Sequence, residues 1–167
     1  LTALLALNVS AEILNAFSLI NKGLQRSNTA IQTKNEATYA AFAEKLAKDP
    51  NNAEIKGYMN TAIKVKSIAV ELEKYIGALE AIVEKEADGY DPETGDLKRR
   101  DDVDISSRVM VDGPDGANDG EGYKLKKKID AARQAMLNAI DDPSVREGFN
   151  KSLPLSTEPK KGNKDWV

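Results

Sequence analysis

Apolar and polar positions along the first forty-eight residues follow two successive patterns with no turn signal between them. Leu1, Ala3, Leu4, Leu5, Ala6 and Leu7 have no charged neighbour. From Ile13 onward the apolar residues narrow to one stripe, Ile13, Phe17, Ile20, Leu24, Ile31, Phe42 and Leu46, the spacing of an amphipathic helix. Gly23 is the one interior residue that weakens a helix, by roughly 1 kcal/mol, which does not end it. Unbroken, such a helix extends about 70 Å. Ser27, Asn28 and Asn35 interrupt the stripe, as polar residues do where register or partner number is set, or where a helix faces solvent. Asp49-Pro50-Asn51-Asn52 ends the helix, because a residue before proline is pushed out of the helical region and asparagines suit a turn.

A second helix is predicted from an Asn51–Glu54 capping pair to a stop at Gly89. Ile55, Ala62, Ala69, Ile76 and Val83 recur every seventh residue, with Tyr58, Val65, Leu72 and Leu79 beside them and Ile63, Ile68, Tyr75 and Ile82 widening the stripe. The width calls for more than one neighbour, and the short connection predicts an antiparallel hairpin with the first helix. Residues 89–122 are rich in Gly, Pro and Asp and read as irregular, with a brief extended stretch over Val103–Val111. A calcium loop fails on spacing there: counted from Asp115 the next ligand position is Ala117, and from Asp112 it is Pro114. A third helix is expected from Asp119 or Glu121 to Ile140, with Leu125, Ile129, Ala132, Met136 and Ile140 on one face. Lys124, Lys126, Lys127 and Lys128 crowd its first turns, where they balance the acidic loop. Asp142-Pro143 reads as an N-cap and first-turn proline opening a short helix to about Ser152.

Composition narrows the chemistry. Aromatics are 5% and charged residues 31% of the 167 residues, which favours long helices over a sandwich or barrel. Net charge is −3, so general nucleic-acid binding lacks its basic surface. Cysteine and histidine are both absent. That removes disulfides, the usual zinc sites, thiol nucleophiles and the commonest general base at neutral pH. No catalytic residue, cofactor or metal ligand is assigned.

The chain begins with Leu inside an apolar run and ends one residue after Trp166, and both ends read as cut from something longer. Leu1–Val9 supply fewer than half of the ~20 apolar residues a spanning helix needs. They fit either the outer end of a transmembrane helix or the tail of a signal peptide with Val9-Ser10-Ala11 as its cleavage site. Val9, Ile13, Phe17 and Ile20 stay in helical phase across that site, which favours the membrane anchor. Asn8, Ser10, Glu12 and Asn15 then mark the passage into water, since a carboxylate at bilayer depth costs roughly 2.5 to 3.5 kcal/mol.

Ala6-Leu7-Asn8-Val9-Ser10-Ala11-Glu12, followed by Asn15-Ala16-Phe17, resembles the membrane exit of the GldM family, also called PorM, of the gliding and type IX secretion machinery of Bacteroidetes. The pair of long helices, Arg99-Arg100-Asp101-Asp102-Val103-Asp104-Ile105-Ser106-Ser107, and Lys164-Asp165-Trp166 are similar to the same family. The resemblance implies a non-enzymatic homodimer with one transmembrane helix per chain and a long periplasmic part. It implies transmembrane helices set in a pentameric ring of a smaller inner-membrane protein, GldL or PorL. Proton flow there would turn the dimer, and the torque would reach an outer-membrane-associated ring of GldK and GldN, or PorK and PorN, through later domains. On this expectation the fold is all-α: residues 1–10 end a transmembrane helix that continues into a periplasmic helical bundle, residues 11–167, containing the long antiparallel hairpin. Leu4, Leu5, Leu7 and Asn8 are expected to contact the membrane partner, and Ile13, Phe17, Ile20 and Leu24 to form the neck and dimer packing. The family's basic residue near the start of the membrane helix would precede Leu1, so no proton-handling residue is assigned. A receptor's periplasmic sensory bundle shares this architecture, but it needs convergent polar groups between helices. A cleaved, soluble periplasmic helical protein would require the signal-peptide reading.

Overall fold

Helix α1 (Thr2–Lys48) runs through Gly23 without a break. The computed structural model describes the backbone of residues 2–112 and 120–158, and their side chains other than those of 2–15, 17 and 103. Exposed threonines stay compatible with α1 by turning their hydroxyls onto its own carbonyls: Thr29 donates to Gln25 O, Thr33 to Thr29 O and Thr38 to Lys34 O, at 3.0–3.1 Å. Lys45 and Lys48 complement the negative end of the helix dipole.

Helix α2 (Ala53–Glu86) starts one residue later than the capping pair read from sequence. Asn52, not Asn51, is the cap: its Oδ1 accepts the Ile55 N–H at 2.9 Å, while its amide donates to the Asp49 carboxylate at 3.2 Å. Asn51 is spent in the turn. At the other end the left-handed position belongs to Asp88 (φ 61°), with Gly89 (φ 78°) following it. Gly89 N–H donates to Glu84 O at 2.9 Å and Asp88 N–H to Lys85 O at 3.2 Å, the paired closing bonds of a Schellman motif. An aspartate tolerates this conformation better than most non-glycine residues.

The extended stretch expected over 103–111 is instead helical. Val103, Ile105, Val109 and Val111 alternate like a strand, but Asp102 caps α3 (Val103–Ser107) by accepting the Asp104 N–H, and Arg99 pairs with the Asp102 carboxylate. A π-helical turn, Arg108–Asp112, continues it. Ile105 is only 2% exposed, and Val109, four residues on, is half-buried. Burial on one helical face therefore outweighs β propensity. Helix α4 (Glu121–Asn138) begins where Gly120 presses on that turn. A Cβ on Gly120 would lie 2.5 Å from the Met110 carbonyl carbon and oxygen, and the Gly120 N–H donates to Val111 O at 3.0 Å. Asp142 then caps α5 (Pro143–Ser152) as expected, through the Ser144 and Val145 N–H groups.

Two compact units result. One comprises α1, the start of α2 to Met59, and the segment Asp91–Asp96; the other comprises the remaining described residues. The second unit's core is Leu79, Ala87, Ile105, Ala132, Met136, Leu137 and Ile140. Arg133 of α4 ties the tail of this unit down by donating to Asn150 O, Leu153 O and Leu155 O at 2.9–3.0 Å. Thr157, buried, donates to Asp130 Oδ1. The described residues are all-helical and contain no strand, only an isolated antiparallel bridge between Tyr90 and Leu97.

Gly120→Ala is expected to lower stability by about 1–3 kcal/mol, since the clash is with backbone. Gly77→Ala, where an added Cβ meets nothing within 4 Å, should raise it by up to about 1 kcal/mol. Urea melts of the two variants decide; a destabilised Gly77→Ala or an unaffected Gly120→Ala would contradict the packing described.

Candidate functional site: an exposed apolar stripe on the first helix

Ile20, Leu24 and Ile31 occupy positions i, i+4 and i+11 on α1. At about 100° per residue they fall within a ~40° wedge. None is covered: Ile20 is 57%, Leu24 58% and Ile31 54% exposed, and Leu19 on the flank is 71% exposed. The same stripe continues to Phe42 and Leu46, which are half-buried, as is Tyr39. One helix thus carries an apolar face that is covered near its C-terminal end and bare over its middle. Fully covering such a side chain contributes about 1.5–3 kcal/mol. For residues already part-covered, a partner would add on the order of 1 kcal/mol each.

Of the residues expected to pack the neck, the structure brings Ile20 and Leu24 onto this one bare face. Ile13, Phe17, Leu4, Leu5, Leu7 and Asn8 have their backbone in α1, and their side chains lie outside the described residues. So do Lys164-Asp165-Trp166 and the aspartate-rich positions 113–119. No helix among the described residues is long and apolar enough to cross a membrane.

A polar cluster in the second unit was not legible from sequence. Tyr75, read there as part of an apolar stripe, donates its hydroxyl to Glu121 Oε2 at 2.7 Å. Glu121 Oε1 takes Lys124 Nζ at 2.7 Å, and Lys128 Nζ stands 4.6 Å from the centre of the Tyr75 ring, a cation–π distance. Two lysines of the basic run are therefore engaged by Glu121 and Tyr75, and Tyr75 meets Glu121 across 46 residues, a pairing that periodicity does not reveal. Burial, then the hydrogen bond and the charge of Glu121, push the Tyr75 hydroxyl up to about 12. The Lys124 hydrogen bond, then that of Tyr75, hold Glu121 below the usual carboxylate range.

Two grooves lie in the same unit. One, about 250 Å³ between α2 and α4, is lined by Ile68, Leu72, Ala131, Ala132 and Ala135, with Glu71 and Lys128 as its polar groups. The other, about 370 Å³, is polar, but its Asp130 and Arg133 are spent in holding Thr157 and the 150–155 carbonyls. Among the described residues no group of three or more Asp, Glu, His or Cys is placed to hold a metal ion.

The described residues are thus all-helical, and their longest helix bares an apolar stripe. The model of the GldM N-terminal domain matches residues 12–167, and the chain belongs to that family, which is part of the gliding and type IX secretion machinery. No curated protein and no solved structure matches the chain.

Because Tyr75 is raised from 10.0 to about 12, its contribution to stability is complete below pH ~10 and is lost as pH rises through ~12. Phenolate absorbance should show a late tyrosine step near pH 12. Glu121→Gln should return that step toward 10; an unchanged late step in this variant would contradict the pairing.

Proposed function

We propose that this chain is the axle and first periplasmic domain of a membrane-anchored rotor subunit that transmits torque from the inner membrane for type IX secretion and gliding. The observation that carries the reading is the continuity of α1 over Thr2–Lys48 in a member of this family. Torque transmission needs an element that does not bend between its ends. Residues 1–10 would be the outer end of a transmembrane helix, held at Leu4, Leu5, Leu7 and Asn8 by a pentameric GldL- or PorL-like ring driven by the proton motive force. Residues 11–167 would form the first periplasmic domain, with α1 and α2 as its antiparallel hairpin, and later domains would reach the GldK/GldN or PorK/PorN ring.

A second copy of the chain would cover the stripe of Ile13, Phe17, Ile20 and Leu24. The exposure of Ile20 and Leu24 in a single chain supports this, since an apolar helical face in water gains stability from a matching one. No enzymatic step belongs to this role. The sensory-domain alternative draws no support from the α2–α4 groove, whose lining is mainly aliphatic.

Leu24→Pro tests the axle. Proline inside a helix removes a backbone hydrogen bond and kinks it at a cost of ~3 kcal/mol. Secretion and gliding should be lost, while hydrogen-exchange protection of the α4 amides stays unchanged. Normal secretion with Leu24→Pro would overturn the rigid-axle role.

A further inference from the structure

Ser18 stands apart from its neighbours on α1. Among the described side chains of residues 16–38, every one is exposed except that of Ser18, which is half-buried. Its Oγ donates to Asp96 Oδ1 at 2.8 Å, across 78 residues. At about 100° per residue Ser18 points some 160° away from Ile20, on the side of α1 opposite the apolar stripe.

Asp96 reaches Ser18 from a turn built to hold its shape. Asp91 Oδ1 accepts the N–H groups of Glu93 and Thr94 at 2.8 and 3.0 Å. Asp91 N–H donates to Asp96 O, and Gly95 N–H to Asp91 O, both at 2.8 Å. Thr94 Oγ1 accepts the Asp96 N–H at 3.3 Å. Gly95 sits at φ 69°, which an L side chain rarely adopts. The turn is thus closed by its own bonds, so presenting the Asp96 carboxylate to Ser18 costs little further ordering. Its flanks are tied as well, by the Tyr90–Leu97 bridge and a 3.0 Å bond from Lys98 N–H to Gly89 O. Although both neighbours of Asp91–Asp96 in sequence belong to the second unit, the segment itself clusters with α1.

We propose that the Asp91–Asp96 turn is a latch that fixes the N-terminal half of α1 through the Ser18–Asp96 hydrogen bond. Beyond Ser18, the next half-buried side chains described along α1 are those of Tyr39, Phe42 and Leu46, some 30 Å along the helix at 1.5 Å per residue. With the latch, α1 is held at two distant points, and because the latch takes the far face, the stripe of Ile20, Leu24 and Ile31 is left bare. The latch belongs to a single chain and stands whether or not the helix carries torque.

The sequence has no cysteine, so spin labels at Asn28→Cys and Glu93→Cys, both exposed positions, report one distance. The measurement uses the full-length chain, diluted with unlabelled chain so that distances between copies do not contribute. A single narrow distribution is expected. Ser18→Ala and Asp96→Ala should each lose it, and the double variant should be no broader than either, because both remove the same bond. Asp96→Asn keeps a carbonyl acceptor and should retain the narrow distance. So should Thr33→Ala, whose hydroxyl bonds only its own helix. A narrow distance surviving Ser18→Ala overturns the latch, as does its equal loss in Thr33→Ala.

Discussion

A helix of 47 residues cannot rely on its backbone hydrogen bonds for rigidity; in water most helical stability comes from packing an amphipathic face. What covers the stripe of α1 is therefore the constraint on which the rest of the structure depends. Near Phe42 and Leu46 the described residues partly cover it, and over Ile20–Ile31 they leave it bare. Just before that bare length, Ser18 is held by a bond on the opposite face. A helix anchored in this way is restrained in position yet open to a partner along one side. That combination suits a structural component.

The second unit answers a different demand. Its core is small, built from residues such as Ile105, Met136 and Ile140, and directed polar contacts supplement it. Arg133 collects three carbonyls, one from the last turn of α5 and two from the irregular residues that follow it. This is a task suited to a planar fork of donors and poorly served by a lysine. Gly120 allows backbone to meet backbone where a side chain would intrude. Tyr75, Glu121, Lys124 and Lys128 join α2 to the start of α4, placing charges around one tyrosine that simple amphipathicity would assign to the core.

Element type was largely legible because it is written locally. Proline 50, the Asp142-Pro143 cap and the seven-residue recurrence of α2 each act within a turn or two of helix, and the structure follows them. Errors arose where two local signals compete or where the deciding partner is remote. Val103–Val111 alternates like a strand, yet an aspartate cap and the burial of Ile105 make it helical. Asn51 and Asn52 are equally good caps until the Asp49 carboxylate selects the second. Ser18 and Asp96 are unremarkable polar residues in sequence, and only the fold brings them together. The stripe is visible in sequence as a stripe; that the described residues leave it uncovered depends on where the other elements go.

Central to the account is that this bare face is completed by a second copy, as part of a larger membrane assembly. Native mass spectrometry of the full-length protein, extracted gently from its own membrane with whatever co-purifies, tests that most directly. A pair of copies bound to a ring of a small membrane protein, as the proposed rotor requires, is the predicted result. A single copy retaining no partner, under extraction that leaves other membrane complexes intact, would contradict it.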